Sequence, residues 1–452
     1  MRINHNVSAQ LANVRLKKTE SRLSDSLERL SSGYKINKAA DDSAGLAITN
    51  KMRAQIRALD QASRNSLDGQ SVIETAEGAL AEIENILQRT RELAVQAAND
   101  TYSLDDRKAI QSEVDEMLKE VDRISTTTEF NGTSLLDGSA ARTMSSDSAQ
   151  VKALSVSMAV EAGDYKIDIG QLAVTAKATF NYNIPATADG NYTILLNEVA
   201  IDITSSDTDD TISKKVMDVC DAMNIDVKGA GTGMELETKA PGSNQRITIK
   251  YPGDTEATVY AGKDAEIEFG DGFEDSAVYS AEGNLINIVD NNGFKMQVEL
   301  GSQAAGTVTL TTFDAGYMIL QIGANEGQTL NMDFPEVTCL NLGLKTSDGI
   351  SMINYCTEFG ATYAIKELDT AIQKISNARS ELGAYQNRLE STIASLDISS
   401  QNITEAMSRI GDTDMADEMT NYTQLDVLSQ AATSMLAQAN NRPQQVMSLL
   451  QG

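Results

Sequence analysis

The chain contains a single histidine, His5, and this excludes the side-chain chemistry that needs two. A helical zinc hydrolase site requires two histidines four residues apart, and the common serine and cysteine nucleophiles require a histidine base. His5 is therefore expected to be a polar surface or interface residue. The sequence predicts no catalytic residue, no cofactor site and no metal site.

Two groups of carboxylates are candidates for binding Ca²⁺, since oxygen ligands in Gly-rich loops hold this ion. They are Asp207, Asp209 and Asp210, and Asp271, Glu274 and Asp275. Neither spacing fits a calcium-loop pattern, and we expect both groups to be solvated loop residues. No phosphate-binding glycine motif is present.

Three cysteines, Cys220, Cys339 and Cys356, cannot all pair within one chain. None belongs to a Cys-x-x-Cys motif, so free thiols are expected rather than a disulfide framework or a zinc site.

The net charge of −28 argues against nucleic acid as a partner, because binding of phosphates needs a basic face. No run of 18 apolar residues is present, so we expect no membrane span. The first residues also lack a charged segment followed by an apolar one, as a cleaved secretory signal would have.

Apolar residues repeat in alternating steps of three and four at both ends of the chain. The clearest ladder runs for 46 residues, with polar interruptions at Arg379, Gln386 and Ser400. Its members are Ile365, Leu368, Ile372, Ile375, Leu382, Leu389, Ile393, Leu396, Ile403, Met407 and Ile410. A stripe of this kind must be buried against other helices along its length.

Similar ladders occupy the N-terminal third and the last segment. They are Leu16, Leu23 and Leu30; Ile73, Ala76, Leu80, Ile83 and Leu87; Ile110, Val114, Met117, Val121 and Ile124; and Leu425, Leu428, Ala432, Met435 and Ala439. Residues 1–184 and 336–442 contain no proline, as uninterrupted helices require. We predict helices at 4–32, 43–99, 104–128, 357–411 and 414–440, and a rod that stacks on copies of itself.

The middle of the chain has a different pattern. Apolar residues alternate between turn signals, which predicts strands at Tyr165–Ile169, Tyr192–Leu196, 200–203, Ile247–Lys250, Met296–Leu300 and Val308–Thr312. One helix is predicted at 211–224 from its 3.6-residue periodicity. The fold class is therefore α+β: a long coiled-coil core formed by N- and C-terminal arms, with an inserted β-rich outer domain.

Five segments resemble the signatures of bacterial flagellin, the subunit of the flagellar filament. They are Leu30–Ile48 (LSSGYKINKAADDSAGLAI), Leu87–Gln96 (LQRTRELAVQ), Glu129–Gly138 (EFNGTSLLDG), Leu382–Leu389 (LGAYQNRL) and Ala437–Leu450 (AQANNRPQQVMSLL). They occur in the family's order over roughly residues 1–138 and 317–452.

The resemblance implies an extracellular protein of the flagellum that is exported without a cleaved signal. The implied partners are many copies of the chain itself, hook-associated and cap proteins, an export chaperone at the C-terminal helix and the host receptor Toll-like receptor 5. It also implies three domains: a terminal helical assembly domain (1–43 and 412–452), a helical core with a β-hairpin (44–140 and 317–411) and a variable β-rich surface domain (141–316) of one or two subdomains.

Two sets of site residues follow. The assembly set is Leu16, Leu23, Leu30, Leu425, Leu428, Met435, Leu449 and Leu450, drawn from the terminal ladders and the final motif. The receptor set, carried over from the family, is Arg89 and Leu93 as main contacts with Gln88, Gln96 and Glu113 in support. Without a receptor, Arg89 would be a polar flank of a heptad and Leu93 a packing residue.

Alternatives remain open beside a filament subunit. Ala162–Ala173 (AGDYKIDIGQLA) resembles a motif of hook-associated and cap proteins, and Tyr192–Lys250 resembles a cap-protein domain, so a hook–filament junction or cap protein is one alternative. A surface protein whose insert binds host glycans is another.

Overall fold

The computed structural model describes residues 6–157, 159–182, 191–204, 206–229, 233–274 and 276–451, with side chains for all of these except 443, 444 and 446–451. The described residues form seven helices. These are α1 (Val7–Ser32), α2 (Ser43–Ala97), α3 (Leu104–Thr127), α4 (Asp209–Ala222), α5 (Cys339–Leu342), α6 (Glu358–Gly411) and α7 (Met415–Gln451).

The strands lie between α3 and α5. They are β1 (Glu129–Phe130), β2 (Thr133–Ser134), β3 (Met144–Ser146), β4 (Val151–Val156), β5 (Gly163–Gln171), β6 (Lys177–Phe180), β7 (Tyr192–Leu196), β8 (Val199–Ile203), β9 (Ile225–Lys228), β10 (Met234–Thr238), β11 (Arg246–Lys250), β12 (Thr258–Ala261), β13 (Glu266–Phe269), β14 (Val278–Glu282), β15 (Leu285–Val289), β16 (Lys295–Leu300), β17 (Gly306–Thr312), β18 (Met318–Gln321) and β19 (Thr329–Met332).

These strands form separate small sheets. The larger ones have the orders β12-β11-β7-β8, β13-β5-β17-β3, β14-β15-β16-β4 and β6-β10-β9, while β1-β2 and β18-β19 are two-stranded. The sheet pairings are antiparallel, as expected for strands joined by short turns. The prediction of an α+β chain with a β-rich insert between helical arms is confirmed.

The chain forms two compact units. The first contains residues 6–67, 321–328 and 390–451, and the second contains 68–320 and 329–389. The predicted domain boundaries at 43/44, 140/141, 316/317 and 411/412 stay predictions.

The ladders of the long helices are buried as their spacing predicts. In the second unit, Ile73, Leu80, Ile83 and Leu87 of α2 and Leu118 of α3 are fully buried. Met117 and Ile124, which were placed on the α3 stripe, are only partly buried. Helix α3 begins with a capping box in which Ser103 and Asp106 each accept a hydrogen bond from the other's backbone N–H.

Two of the three polar interruptions of the α6 ladder have partners on α2. In the second unit the Arg379 guanidinium lies 2.6 Å from a carboxylate oxygen of Glu77 and 2.6 Å from one of Glu84. In the first unit Ser400 Oγ donates to Asp60 Oδ1 at 3.1 Å. These polar positions pair with matching polar positions on α2, so each fixes how the two helices align.

The insert contains two hydrophobic cores. The first surrounds α4 and the sheets that contain β7 and β10, and includes Phe180, Ile194 and Val216. The second lies between the sheets that contain β5 and β16, and includes Ile167 and Val298. Strands β5, β11 and β17 alternate more buried and more exposed residues, as strands of sheets with one covered face do.

Strand β16 is buried on both faces because its second face contacts the helical core. On that face Gln297 Nε2 donates to the carbonyl oxygen of Asn341 at 3.0 Å. The backbone N–H of Ser347 donates to Glu299 Oε1 at 2.9 Å. Amide and carboxylate groups, rather than apolar side chains, therefore connect this sheet to the segment around α5.

The two ends of the insert run side by side. Thr143 N–H donates to the carbonyl of Ala315 and Phe313 N–H donates to the carbonyl of Thr143, both at 3.0 Å. The buried Arg142 guanidinium donates to the carbonyls of Phe313 and Val160. Gly316 has φ +102°, and a Cβ there would collide with the carbonyl oxygen of Ala141, so this position requires glycine.

Candidate functional site

Helices α1 and α7 pack against each other in the first unit. On α1 the less exposed positions recur every three and four residues, at Ala9, Ala12, Leu16, Thr19, Leu23, Ser26 and Leu30. On α7 they are Tyr422, Leu425, Ser429, Ala432, Leu436 and Ala439. This is the spacing of a two-helix coiled-coil seam, built largely from small residues. We call these thirteen residues the terminal seam.

Polar groups fix the register of the terminal seam at both ends. Asn6 Nδ2 donates to the carbonyl of Ala439 at 3.0 Å, while its Oδ1 caps α1 by accepting from Ala9 N–H. At the other end Glu418 accepts from Ser26 Oγ and lies 3.9 Å from the Arg29 guanidinium.

The turns after α1 and before α7 are joined by backbone hydrogen bonds. Lys35 N–H donates to the carbonyl of Gly411 at 2.8 Å, and Thr413 N–H donates to the carbonyl of Gly33 at 2.9 Å. Gly33 ends α1 in the left-handed conformation at φ 76°. This short ladder and the terminal seam hold α1 and α7 antiparallel to each other within one subunit.

A second apolar face of the same helices is exposed. On α1 it consists of Val7, Leu11 and Val14, and on α7 of Val427, Leu428 and Met435. Met435 is 66% exposed and Leu428 is 48% exposed. We call these six residues the outer face; a helix with a covered seam and a further apolar stripe is built to contact more than one neighbour.

The predicted assembly residues are divided between these two surfaces. Leu16 and Leu425 are buried and Leu23 and Leu30 are half-buried in the terminal seam, so they pair helices within one chain. Leu428 and Met435 lie on the outer face and are free to contact another copy. The side chains of Leu449 and Leu450 lie outside the described residues, and so does all of His5. The assembly role of all eight positions stays a prediction.

Four of the five predicted receptor residues are exposed in the second unit. Gln88, Arg89 and Gln96 lie on α2, and Glu113 lies on the neighbouring α3. The Arg89 guanidinium is 3.0 Å from a carboxylate oxygen of Glu92 and 3.5 Å from one of Glu113. Hydrogen bonding to Glu92 and the charge of Glu113 raise the pKa of Arg89, so the cation is firmly held.

Leu93, the other predicted main contact, is only 3% exposed. It lies beside Ala94 and Ala97, which are also buried, and therefore packs in the helical layer. A direct contact between its side chain and a partner would need the helices to part. The receptor role of Leu93 remains a prediction that this burial disfavours.

Comparison with known proteins identifies the family. The bacterial flagellin N-terminal helical region matches residues 3–141, and the bacterial flagellin C-terminal helical region matches residues 365–450. Flagellin of Clostridium tyrobutyricum is 34% identical over 98% of this chain and 100% of its own length. The chain belongs to the bacterial flagellins. Flagellin D of Vibrio anguillarum is 33% identical over 99% of both chains.

Similarity to caps and hook-associated proteins is also present but weak. Hook-associated protein-3 of Legionella pneumophila is 15% identical over 80% of this flagellin and 98% of that chain, with a TM-score of 0.32. Domains D2–D3 of the Escherichia coli flagellar cap protein are 14% identical over 39% of this chain and 100% of that chain, with a TM-score of 0.28. Scores of this size support no functional conclusion.

Flagellins are structural, non-enzymatic proteins, in keeping with the expectation of no catalytic site. In this flagellin the described residues include no group of three or more His, Cys, Asp or Glu placed to hold a metal ion. Asp207 is paired with the Lys215 ammonium at 2.7 Å, and this bond lowers the pKa of Asp207 to about 2. Asp271 is paired with Lys166, while Asp275 lies outside the described residues.

The three cysteines of this flagellin are free and buried. Burial raises the pKa of Cys220 to about 12 and of Cys356 to about 11, and raises that of Cys339 further. Each thiol is therefore protonated and unreactive at neutral pH. Among the residues described, no helix has the length and apolar character that crossing a bilayer would need.

Sequence reasoning missed two features of these surfaces. The α1 part of the outer face, Val7, Leu11 and Val14, has the spacing i, i+4, i+7, which was visible but was not separated from the heptad leucines. The partners of Arg379, Glu77 and Glu84, were not foreseen, because a ladder on one helix does not reveal which helix lies opposite.

Proposed function

We propose that this chain is the subunit of an extracellular flagellar filament and polymerises through its terminal helices. The supporting observation is the outer face: six large apolar side chains on paired helices with no partner within the described chain. Burial of one Met or Leu side chain is worth about 1.5–3 kcal/mol. In a family of filament proteins, the occupant that fits this face is an apolar surface of further copies of the chain, since a filament needs contacts between two different surfaces.

Seeded polymerisation tests the proposal. Purified full-length chain is added to short fragments of its own filament, beside a version that lacks residues 1–43 and 412–452, and products are imaged by electron microscopy. We expect filaments only from the full-length chain. Circular dichroism checks that the shortened chain keeps α2, α3 and α6. Full-length protein that stays monomeric with fresh seeds would argue for a junction or cap role instead.

Two alternatives rank below the filament. Flagellins of Clostridium tyrobutyricum and Vibrio anguillarum match this chain over nearly its whole length, so a junction or cap role stays second. A glycan-binding insert is compatible with a filament, and binding of glycans to the purified chain would support it.

We also propose that Toll-like receptor 5 binds this chain through the exposed residues of the receptor set. Gln88, Arg89, Gln96 and Glu113 present a fixed cation, a carboxylate and two amides on adjacent helices. Arg89 is the expected anchor because arginines dominate the energy of many protein interfaces.

A reporter cell line that expresses the receptor tests this second proposal. Arg89→Ala in the monomeric chain should raise the half-maximal concentration at least about tenfold, as interface anchors do. Arg123→Ala is the matched control, since Arg123 is an exposed α3 arginine bonded only to Glu120 among the contacts described. An equal response of both variants would contradict the epitope.

Two further proposals follow from the family. Export occurs without cleavage of a signal, so mass spectrometry of shed filaments should find the N-terminal peptide of the chain. An export chaperone binds α7, where Val427, Leu428 and Met435 are exposed. Substitution of these three should weaken chaperone binding and polymerisation together, because both would use the same face.

A further inference from the structure

Two carboxyl groups, one buried and one partly buried, lie where the insert contacts the long helix α6. Glu367 of α6 is 2% exposed, and its Oε1 has no hydrogen-bond partner. Glu282, the last residue of β14, is also largely shielded, with its side chain 24% exposed. Burial and the charge of Glu282 raise the pKa of Glu367 to about 7.

The groups around this pair come from several elements. Lys366 Nζ lies 3.9 Å from Glu282 and 3.6 Å from Glu367, but its side chain is 68% exposed. An exposed ammonium at these distances neutralises a buried carboxylate poorly. Lys374 acts on both glutamates only at longer range, since its ammonium donates to the carbonyl of Asn341 at 2.8 Å.

On the insert side, Asn244 Nδ2 donates to the hydroxyl of Tyr363 at 2.7 Å. The Tyr363 hydroxyl is itself hydrogen-bonded to Glu367 and partly offsets the rise in the pKa of that glutamate, but Glu367 Oε1 still has no donor. Asp264 accepts from the N–H of Gly283, the residue after Glu282, so a third carboxylate faces the same junction. Lys239, Glu299, Lys345 and Asp348 line one cavity together with Glu282. Lys345 is paired with Asp122, and Lys239 lies within 4.0 Å of Asp221 and Asp226. Glu367 Oε1 is therefore left without a donor among the described residues.

A proton is the simplest species that supplies the missing donor. The described residues include no cluster suited to a metal ion. Lys366 is mostly exposed to solvent, and the Lys374 ammonium is bonded to the carbonyl of Asn341. A neutral carboxyl group on Glu367 can donate to an acceptor, whereas two adjacent buried carboxylates repel each other. When the proton leaves to solvent, the junction retains two negative charges and one fewer donor.

We propose that Glu282 and Glu367 form a proton-dependent latch between the insert and the core helix α6. Below neutral pH the pair holds one shared proton and the junction is closed. As the pH rises through neutrality the proton dissociates, the charges repel, and the contact between β14 and α6 loosens. The latch is a property of the monomer and does not depend on polymerisation.

The sign of the linkage follows from the raised pKa of Glu367. The folded chain binds more protons than the unfolded chain between the ordinary glutamate pKa and about 7, so stability falls as pH rises through that window and then levels off. Asp333, whose pKa burial raises to about 6, adds a slope of the same sign. The difference between variant and parent isolates the latch.

Thermal unfolding of the monomeric full-length chain, followed by circular dichroism from about pH 5 to about pH 8.5, tests the proposal. We expect the Tm of Glu367→Gln minus that of the parent to increase from about pH 5 to about pH 7 and then to level off. Glu268→Gln, which changes an exposed carboxylate on β13, should give a difference that does not vary with pH. A constant difference for Glu367→Gln would overturn the latch.

Two further measurements keep the proposal testable if that variant folds poorly. Glu282→Gln should move the pH window of the parent to lower pH, and an unmoved window would show that Glu282 is not the partner. In the unaltered chain, hydrogen exchange of β14 amides, corrected for the intrinsic pH dependence, should accelerate between about pH 6 and about pH 8. Unchanged protection there would also overturn the latch.

Discussion

Replacement of Leu428 and Met435 by glutamine should raise the critical concentration for polymerisation without unfolding the monomer. Glutamine keeps the length and helix propensity of these side chains. Both residues lie on the outer face and outside the thirteen positions of the terminal seam, so the α1–α7 pair should persist. What is lost is the apolar surface that a neighbouring copy would cover.

The size of the effect follows from the exposed fractions, 66% for Met435 and 48% for Leu428. Complete burial of each side chain is worth about 1.5–3 kcal/mol, so the part still exposed in the monomer represents about 1–2 kcal/mol for Met435 and about 0.7–1.5 for Leu428. Their sum, about 2–3.5 kcal/mol, corresponds to a rise in critical concentration of about 30- to 300-fold.

The critical concentration is measured by sedimentation of seeded reactions at a series of total concentrations. Val259→Thr serves as the matched control, since Val259 is 54% exposed on the edge strand β12 of the insert and should change nothing. Leu425→Ala provides the opposite contrast, because it opens the terminal seam and should also reduce monomer helicity. A double glutamine variant with the parent's critical concentration would refute the assignment of the outer face.

Three other outcomes are expected. Arg379→Ala should lower the free energy of unfolding by about 1–3 kcal/mol in denaturant titrations, because two carboxylates on α2 lose their shared cation. An unchanged free energy of unfolding would mean that these ion pairs do not stabilise the chain. Glu237→Gln should remove part of the acid sensitivity of unfolding. Two lysines and a threonine lower the pKa of Glu237 to about 2. The ionised Glu237 therefore adds stability above about pH 4.5, and this stability is lost as the pH falls to about 2. Cys220, Cys339 and Cys356 should resist a thiol reagent at pH 8 until denaturant is added, and rapid labelling of the native chain would contradict their burial.

Periodicity predicted the long helices because an apolar stripe repeated over many turns distinguishes a helix from a strand. Predicted helix ends at 32 and 411 coincide with the observed ends, and those at 99 and 128 are within two residues. The last helix continues to Gln451. The sequence predicts an end at 440 because the apolar spacing weakens beyond that point. Strands were found wherever apolar residues alternate, as in β5 and β17.

Periodicity does not predict which helix surface covers which other surface. A heptad shows that a face is buried, but whether the cover is the same chain or another copy depends on tertiary contacts. Leu425 and Leu428 occupy one apparent ladder, yet one lies in the terminal seam and the other on the outer face. Leu93 illustrates the same limit, because a family motif transfers a residue type without its exposure.

The root of the insert makes the outer domain exchangeable. Thr143 is hydrogen-bonded to Phe313 and Ala315, so the polypeptide leaves and re-enters the helical core at nearly one point. The entropic cost of bringing the two ends of such a segment together rises only slowly with its length, by about 0.6 kcal/mol for each doubling. Foreign domains with neighbouring termini can therefore be grafted between these positions, provided that other polar groups bond to the carbonyl oxygen of Asn341 and to the N–H of Ser347.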